Sequence, residues 1–217
     1  MTWIDFFNSI EKKDYFIELL KFIDDEYNNY SCFPLKENIF RAFKLTPFEE
    51  IKVIIIGQDP YFNKGEANGL AFSVNKDIKL PPSLRNIYKE IELEYNVSLK
   101  ERDGDLSYLS TQGVFLINSI LSVREGNPLS HQNKLYQEFF NDLLDFLSEN
   151  KSNLSFLLFG KAAQKYEKKI TNPLHQIIKT THPSPLGANQ GGWFNSLVFK
   201  KANDYLRSSN LKPIKWY

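Results

Sequence analysis

The chain has 217 residues, 42% of them hydrophobic and 24% charged, with a formal net charge of +1. That length suits one α/β domain with a sizeable core, so residues 1–217 are read as a single domain whose residues 1–35 form its helical amino-terminal part. The composition excludes a disordered chain, and near-neutrality excludes coating of nucleic acid through bulk charge while leaving room for a local basic groove. Cys32 is the single cysteine and cannot close an intramolecular disulfide; no Cys and His spacing resembles a zinc site, so no structural metal is expected. The segment Met1 to Asp14 has no basic leader followed by an apolar run, and no apolar run approaches about 18 residues. A cytoplasmic protein without a membrane span is expected.

In chain order, Trp3 to Tyr30 reads as two helical pieces split near Lys12 to Asp14, the second with Phe16, Leu19, Leu20 and Ile23 at helical spacing. A short helix is predicted around Glu37 to Phe43, and Pro47 leads into Val53 to Ile56, an apolar β-branched run suited to a strand buried on both faces. Gly57 ends that run. Gln58, Asp59 and Tyr61 follow at once, with Pro60 fixing its own φ and pushing Asp59 out of helical geometry. In open α/β sheets this edge is where ligands bind; the plain alternative is a turn in which Asp59 caps the next segment. Gly65 to Val74 reads as a loop returning to an extended segment that carries Phe72. Pro81-Pro82-Ser83 precedes a helix with Leu84, Ile87, Tyr88 and Ile91 on one face.

Lys100 to Ser107 is polar and is read as a loop. Val114 to Ile117 is the next strand, ending at Asn118. Asn133 to Leu147 is an amphipathic helix with Leu135, Phe139, Phe140, Leu143, Leu144 and Leu147 inward. Leu154 to Phe159 is a third strand closed by Gly160, followed by a basic helix from Lys161 to Ile170. Gln176 to Thr180 is a fourth strand running into T-H-P-S-P-L-G. A final helix from Trp193 to Leu206 is expected to bury Trp193, Leu197, Val198 and Leu206. Strands alternating with helices predict a three-layer α/β fold, with a central, mostly parallel four-stranded sheet flanked by helices on both faces. The strand ends then share one edge, where Asp59, Asn118, Gly160 and His182 can meet.

Asp59, Asn118 and His182 supply a carboxylate, an amide that both donates and accepts, and an imidazole. Such an amide can read one edge of a nucleobase; the imidazole can stabilise charge on a leaving group, and the carboxylate can position water or face a cationic transition state. Taken singly, a strand-end Asn is most often a turn former and a lone His a packed or surface residue.

Five segments occur together and in order: G-Q-D-P-Y at 57–61, G-L-A-F-S-V at 69–74, P-P-S-L-R-N-I-Y at 81–88, G-V-F-L-I-N at 113–118 and H-P-S-P-L at 182–186. This set resembles the family 1 uracil-DNA glycosylases, over a stretch from about Phe40 to the carboxyl terminus. The resemblance implies a uracil-DNA glycosylase-like fold and a monofunctional DNA repair enzyme that flips uracil out of single- or double-stranded DNA. It would hydrolyse the N-glycosidic bond to free uracil and an abasic site, with no metal or cofactor. Asp59 would stabilise the oxocarbenium-like sugar and orient water, and His182 would hydrogen-bond to uracil O2. Phe72 would stack on the base, Tyr61 would exclude a 5-methyl group, Asn118 would pair with N3–H and O4, and Gln58 would contribute through its backbone. Leu186 would be the apolar wedge, and Pro81, Pro82, Ser83, Gly160, Lys161, Ser184 and Pro185 would lie along the DNA backbone. A monomer is implied, with a proteinaceous glycosylase inhibitor admitted as a partner.

Several positions depart from the family pattern: Phe62 where His is usual, Lys161 where Ser is usual, and Asn189 and Gln190 after the leucine. His131 keeps the Ser-His pair without the Gly-Trp that follows it, and is read as structural. The departures keep two rivals open: a glycosylase-fold DNA-binding accessory subunit with weak or lost catalysis, and an enzyme of the same superfamily with another base preference.

Overall fold

In the computed structural model, which describes residues 1–99 and 102–217, four strands form one wholly parallel sheet and nine α-helices surround it. Helices α1 (Trp3–Ile10) and α2 (Asp14–Asn29) open the chain, the first closed by a capping box between Thr2 and Asp5. Strand β1 (Cys32–Phe33), a 3₁₀ turn at Lys36–Asn38, α3 (Arg41–Leu45) and β2 (Val53–Gly57) follow. Then come α4 (Pro82–Tyr95), α5 (Ser107–Ser110), β3 (Val114–Asn118), β4 (Val123–Arg124) and α6 (Lys134–Asn150). Strand β5 (Ser155–Phe159), α7 (Gly160–Gln164), β6 (Gln176–Thr180), α8 (Pro185–Asn189) and α9 (Val198–Ser208) complete it. No helix of the described residues is long and apolar enough to cross a membrane.

The sheet order is β3-β2-β5-β6, so the two central strands, β2 and β5, are buried on both faces, as their apolar runs require. Side chains alternate between its faces. Phe115 of β3 points toward the amino-terminal helices, with its ring centroid 5.0 Å from Trp3 and 5.2 Å from Phe43. Its neighbour Leu116 lies, with Ile55, against Ile87 and Ile91 of α4. Trp3, Phe6, Phe16 and Leu19 belong to the same apolar cluster as the strands, which places α1 and α2 on the core. A separate two-stranded antiparallel ribbon pairs β1 with β4, Cys32 opposite Arg124.

The structure corrects several expectations. The helix expected at Glu37 to Phe43 is broken into a 3₁₀ turn and α3, and the basic helix at Lys161 to Ile170 is the short α7 followed by a 3₁₀ turn at Glu167–Lys169. Leu20 is 41% exposed and falls outside the buried stripe of α2. Phe72 lies in a turn with φ of 65°, and the pairing across that loop among the described residues is a single bridge between Ala67 and Val74. Lys100 and Glu101, in the loop read between Lys100 and Ser107, lie outside the described residues.

The last helix begins at Val198 because of two carboxylates on α4. Glu90, buried, accepts the N–H groups of Asn195, Ser196 and Leu197; Glu94, one turn later, accepts those of Phe199 and Lys200 at 3.2 and 2.7 Å. They satisfy the unpaired donors at the start of α9 that a local Ser or Asp side chain would otherwise cap. Leu197 therefore turns out of the helix with φ of 58° and is 43% exposed, while Trp193 is buried ahead of the helix.

Burial pushes the Glu94 carboxyl up to about 7, against its two N–H donors and with the help of neighbouring Glu90. The folded chain then holds a proton that the unfolded chain releases from its ordinary carboxylate value upward, so this group removes stability as pH rises through that window. Glu94→Gln carries a constant offset from the altered cap. The gap between its unfolding free energy and that of the unsubstituted chain should still move in the variant's favour from pH 5 to pH 8, measured by urea titration; parallel curves would exclude this ionisation.

Candidate active site

The carboxyl edge of the sheet carries a cleft of about 180 Å³, lined by residues that include Asp59, Tyr61, Phe72, Asn118 and His182. Gly57 and Asn118 stand opposite one another at the ends of β2 and β3. A Cβ on Gly57 would lie 2.0 Å from Asn118 Oδ1, so the amide occupies space that only glycine leaves. The loops beyond these strands continue the pairing: Ser119 N–H donates to Gly57 O at 3.0 Å and Ile120 N–H to Gln58 O at 2.9 Å. Gln58 thus holds the edge through its carbonyl, with its own side chain exposed.

Asp59 follows with its carboxylate half-buried, and the Leu129 N–H donates to its Oδ2 at 2.8 Å. Burial raises its pKa, while the Leu129 N–H and its own amide pull the other way. The Tyr61 hydroxyl donates to Phe72 O at 3.4 Å, and burial keeps the phenol protonated. The Phe72 ring lies 5.8 Å, centroid to centroid, from both Phe159 and His182. Its left-handed backbone is held by the buried Asn68 amide, which donates to Ser73 Oγ and Val74 O and accepts from the Leu70 N–H.

His182 follows β6 and is packed by two glycines. A Cβ on Gly160, where φ is 77°, would come within 2.8 Å of His182 Cβ, and one on Gly187 within 2.4 Å of His182 O. Ser184 N–H donates to His182 Nδ1 at 3.0 Å, and burial lowers the imidazole pKa. The ring is accordingly neutral with its proton on Nε2, because Nδ1 is used as an acceptor. Asn86 of α4 braces this loop, donating from Nδ2 to Pro183 O at 2.8 Å while its own carbonyl accepts from Trp193 Nε1.

Around this cleft, Ser83 contributes to the lining, Pro81 is buried and Pro82 exposed at the start of α4. Ser184 caps α8, accepting the Gly187 N–H, and Pro185 begins that helix. Leu186 is 74% exposed on it. Gly160, Lys161, Lys179 and Gln190 line an adjoining open groove of about 560 Å³ that shares His182 with the cleft. Phe62 and Pro128 also line the cleft.

Sequence reasoning overlooked Asn68, Asn86 and Leu129. The A-N-G and G-N-P stretches signal turns, yet nothing in them says which backbone group they serve, and Leu129 acts through an N–H that every residue but proline has. Glu26, Cys32 and His131 bring donor atoms within 4.8 Å of one another, a grouping of metal-ligand types. Their donors are already engaged: Arg124 forks onto Glu26 at 2.5 and 2.7 Å, and His131 bridges Ser122 and Glu26. His131 is buried in that network, outside the cleft.

The family model described as the Uracil DNA glycosylase superfamily matches residues 43–207. A uracil-DNA glycosylase of Christiangramia forsetii is 45% identical over 215 residues, covering 99% of this chain and 97% of its own length. One from Clostridium beijerinckii is 43% identical over 214 residues, covering 99% and 94%. The crystal structure of mimivirus uracil-DNA glycosylase is similar with a TM-score of 0.91 at 32% identity, covering 99% of this chain and 85% of that one. A mimivirus UNG variant in complex with UGI gives 0.89 at 33%, over 99% and 87%. With the family match spanning most of the sequence and relatives this similar along nearly all of it, the chain belongs to the uracil DNA glycosylase superfamily.

Proposed function

We propose that the cleft at the sheet edge is where this uracil-excising DNA repair enzyme, a hydrolase of N-glycosyl bonds, holds its flipped base, with Asp59 and His182 as its catalytic residues. The observation that carries the reading is that Asp59, Tyr61, Phe72, Asn118 and His182 surround one cleft too small for a drug-sized ligand and of the right order for a single pyrimidine. Extracting the base costs a few kcal/mol, least where it is mispaired. Stacking on Phe72 returns about 1–3 kcal/mol. Asn118 accepts from uracil N3–H and donates to O4, and cytosine's reversed edge leaves both amide atoms unpaired in a buried site. Tyr61 occupies the side of C5 and refuses thymine's methyl group, and the Gln58 carbonyl fixes the pocket wall.

In the reaction, the bond between C1′ and N1 breaks and its electron pair leaves with the base, so negative charge grows on O2 while the sugar becomes oxocarbenium-like. The neutral His182 donates its Nε2–H to that oxygen. The Asp59 carboxylate faces the cation and orients the water that adds to C1′. Among the described residues no lysine amine that could form a Schiff base lines the cleft, which supports a monofunctional enzyme that leaves the phosphodiester intact.

On the DNA side, Leu186 enters the space the base vacates, while Pro81, Pro82, Ser83, Gly160, Lys161, Ser184 and Pro185 follow the backbone of single- or double-stranded DNA. Residues 1–217 act as one catalytic domain, a reading supported by the shared apolar cluster, and as a monomer. The free, buried Cys32 suits the reducing cytoplasm. The UGI-bound mimivirus structure supports a proteinaceous inhibitor as a further partner. Phe62 in the cleft lining favours one second reading, a DNA-holding accessory subunit in which catalysis is lost.

Incubating the protein with a single-uracil oligonucleotide without metal, then cleaving with alkali, should give scission at uracil alone; binding without scission would select the accessory reading. Asp59→Asn and His182→Ala should each lower turnover about 10²-fold or more while binding is kept. Tyr61→Ala should begin to release thymine, and complete refusal of thymine by a folded variant would refute the C5 account. Gly57→Ala displaces the Asn118 amide and should cost about tenfold or more in uracil excision, read as kcat/KM; an unchanged value would detach Asn118 from base reading.

A further inference from the structure

Leu129 sits in the turn between β4 and α6 with φ of 61°, a backbone conformation that a leucine adopts at a cost. Its side chain is 37% exposed, so packing alone is a weak reason for holding it there. Its N–H supplies the one hydrogen bond that the Asp59 side chain accepts from outside its own residue among the described residues. Phe62, three residues after Asp59, offers that carboxylate no side-chain donor.

The turn is fastened from its far side. Arg124 N–H donates to Ser130 Oγ at 2.8 Å, Glu125 N–H to Ser31 O at 2.8 Å and Gly126 N–H to Phe62 O at 2.9 Å. The Arg124 guanidinium grips Glu26 of α2 with two nitrogens and lies 3.6 Å from the Tyr30 ring centroid. The amino-terminal helices thus fix the turn, and the turn presents one N–H to the carboxylate. A group on a loop needs such a second contact to stay within the few tenths of an ångström that chemistry tolerates.

We propose that Leu129 is a positioning residue for uracil excision, its backbone N–H holding the Asp59 carboxylate in the orientation that faces the sugar. The inference rests on the reading of Asp59 as a catalytic residue. Charge-assisted N–H donors of this kind also favour the ionised carboxylate. His182 and Tyr61 are the titratable groups that line the cleft with Asp59; burial lowers the His182 pKa, leaving the imidazole neutral, and raises that of Tyr61, keeping the phenol protonated.

Two variants separate the N–H from everything else at this position. Replacing Leu129 by its α-hydroxy acid deletes the N–H and keeps the side chain; Leu129→Gly keeps the N–H and frees the left-handed turn. The ester should lose about tenfold or more in kcat, with KM for a uracil oligonucleotide within about twofold, and the acid limb of its kcat profile should move to higher pH. Leu129→Gly should keep the original kcat and acid limb. An ester with unchanged kcat and acid limb, or a glycine variant that falls as far as the ester, overturns the inference. Asp59→Asn run alongside distinguishes the two levels: if it is inactive the assignment of Asp59 stands whatever the ester does, and if it turns over normally both readings fall.

Discussion

The close approach of Gly57 and Asn118 at the ends of two parallel strands is the constraint on which the rest of the site depends. Parallel register places the two residues side by side, and the missing Cβ lets a carboxamide lie where a side chain would otherwise stand. Everything after Gly57 is then committed to the same edge. The Gln58 carbonyl is taken up by the β3 loop, so Asp59 and Tyr61 must emerge over the cleft. Gly160 and Gly187 do for His182 what Gly57 does for Asn118, letting their backbone approach the His182 backbone and Cβ to distances that a methyl group would forbid.

The loops that line the cleft are irregular, and buried or half-buried polar side chains stand in for secondary structure beneath them. Asn68 fastens the Phe72 turn, Asn86 fastens the loop after His182, and Glu90 and Glu94 fasten the segment that leads into α9. Each satisfies backbone donors or acceptors that a loop would otherwise bury unpaired. A rigid apolar sheet thus sets where the loops begin, and single polar side chains set how they run.

The sheet was legible in the sequence because its strands are apolar runs with sharp ends; Gln176 to Thr180 agrees residue for residue with β6. The alternation of strands and helices carried the parallel topology, and the five motifs carried the family. The ribbon of β1 and β4 was not legible, since two-residue strands have no period to read. Nor was the backbone of Phe72 or Leu197, both of which adopt a conformation their residue types disfavour because another side chain imposes it, Asn68 for Phe72 and the distant Glu90 for Leu197. The start of α9 was misread for the same reason: its cap comes from α4, about a hundred positions earlier in the chain.

Phe72 has a wider consequence for how this chain can change. Its left-handed backbone costs about 1–3 kcal/mol that a glycine would largely recover, and the same holds at Leu129 and Leu197. Glycine at 72 would relax that backbone but remove a ring that packs on Phe159 and the core, so the strained conformation is the one in which the aromatic surface over the cleft is kept.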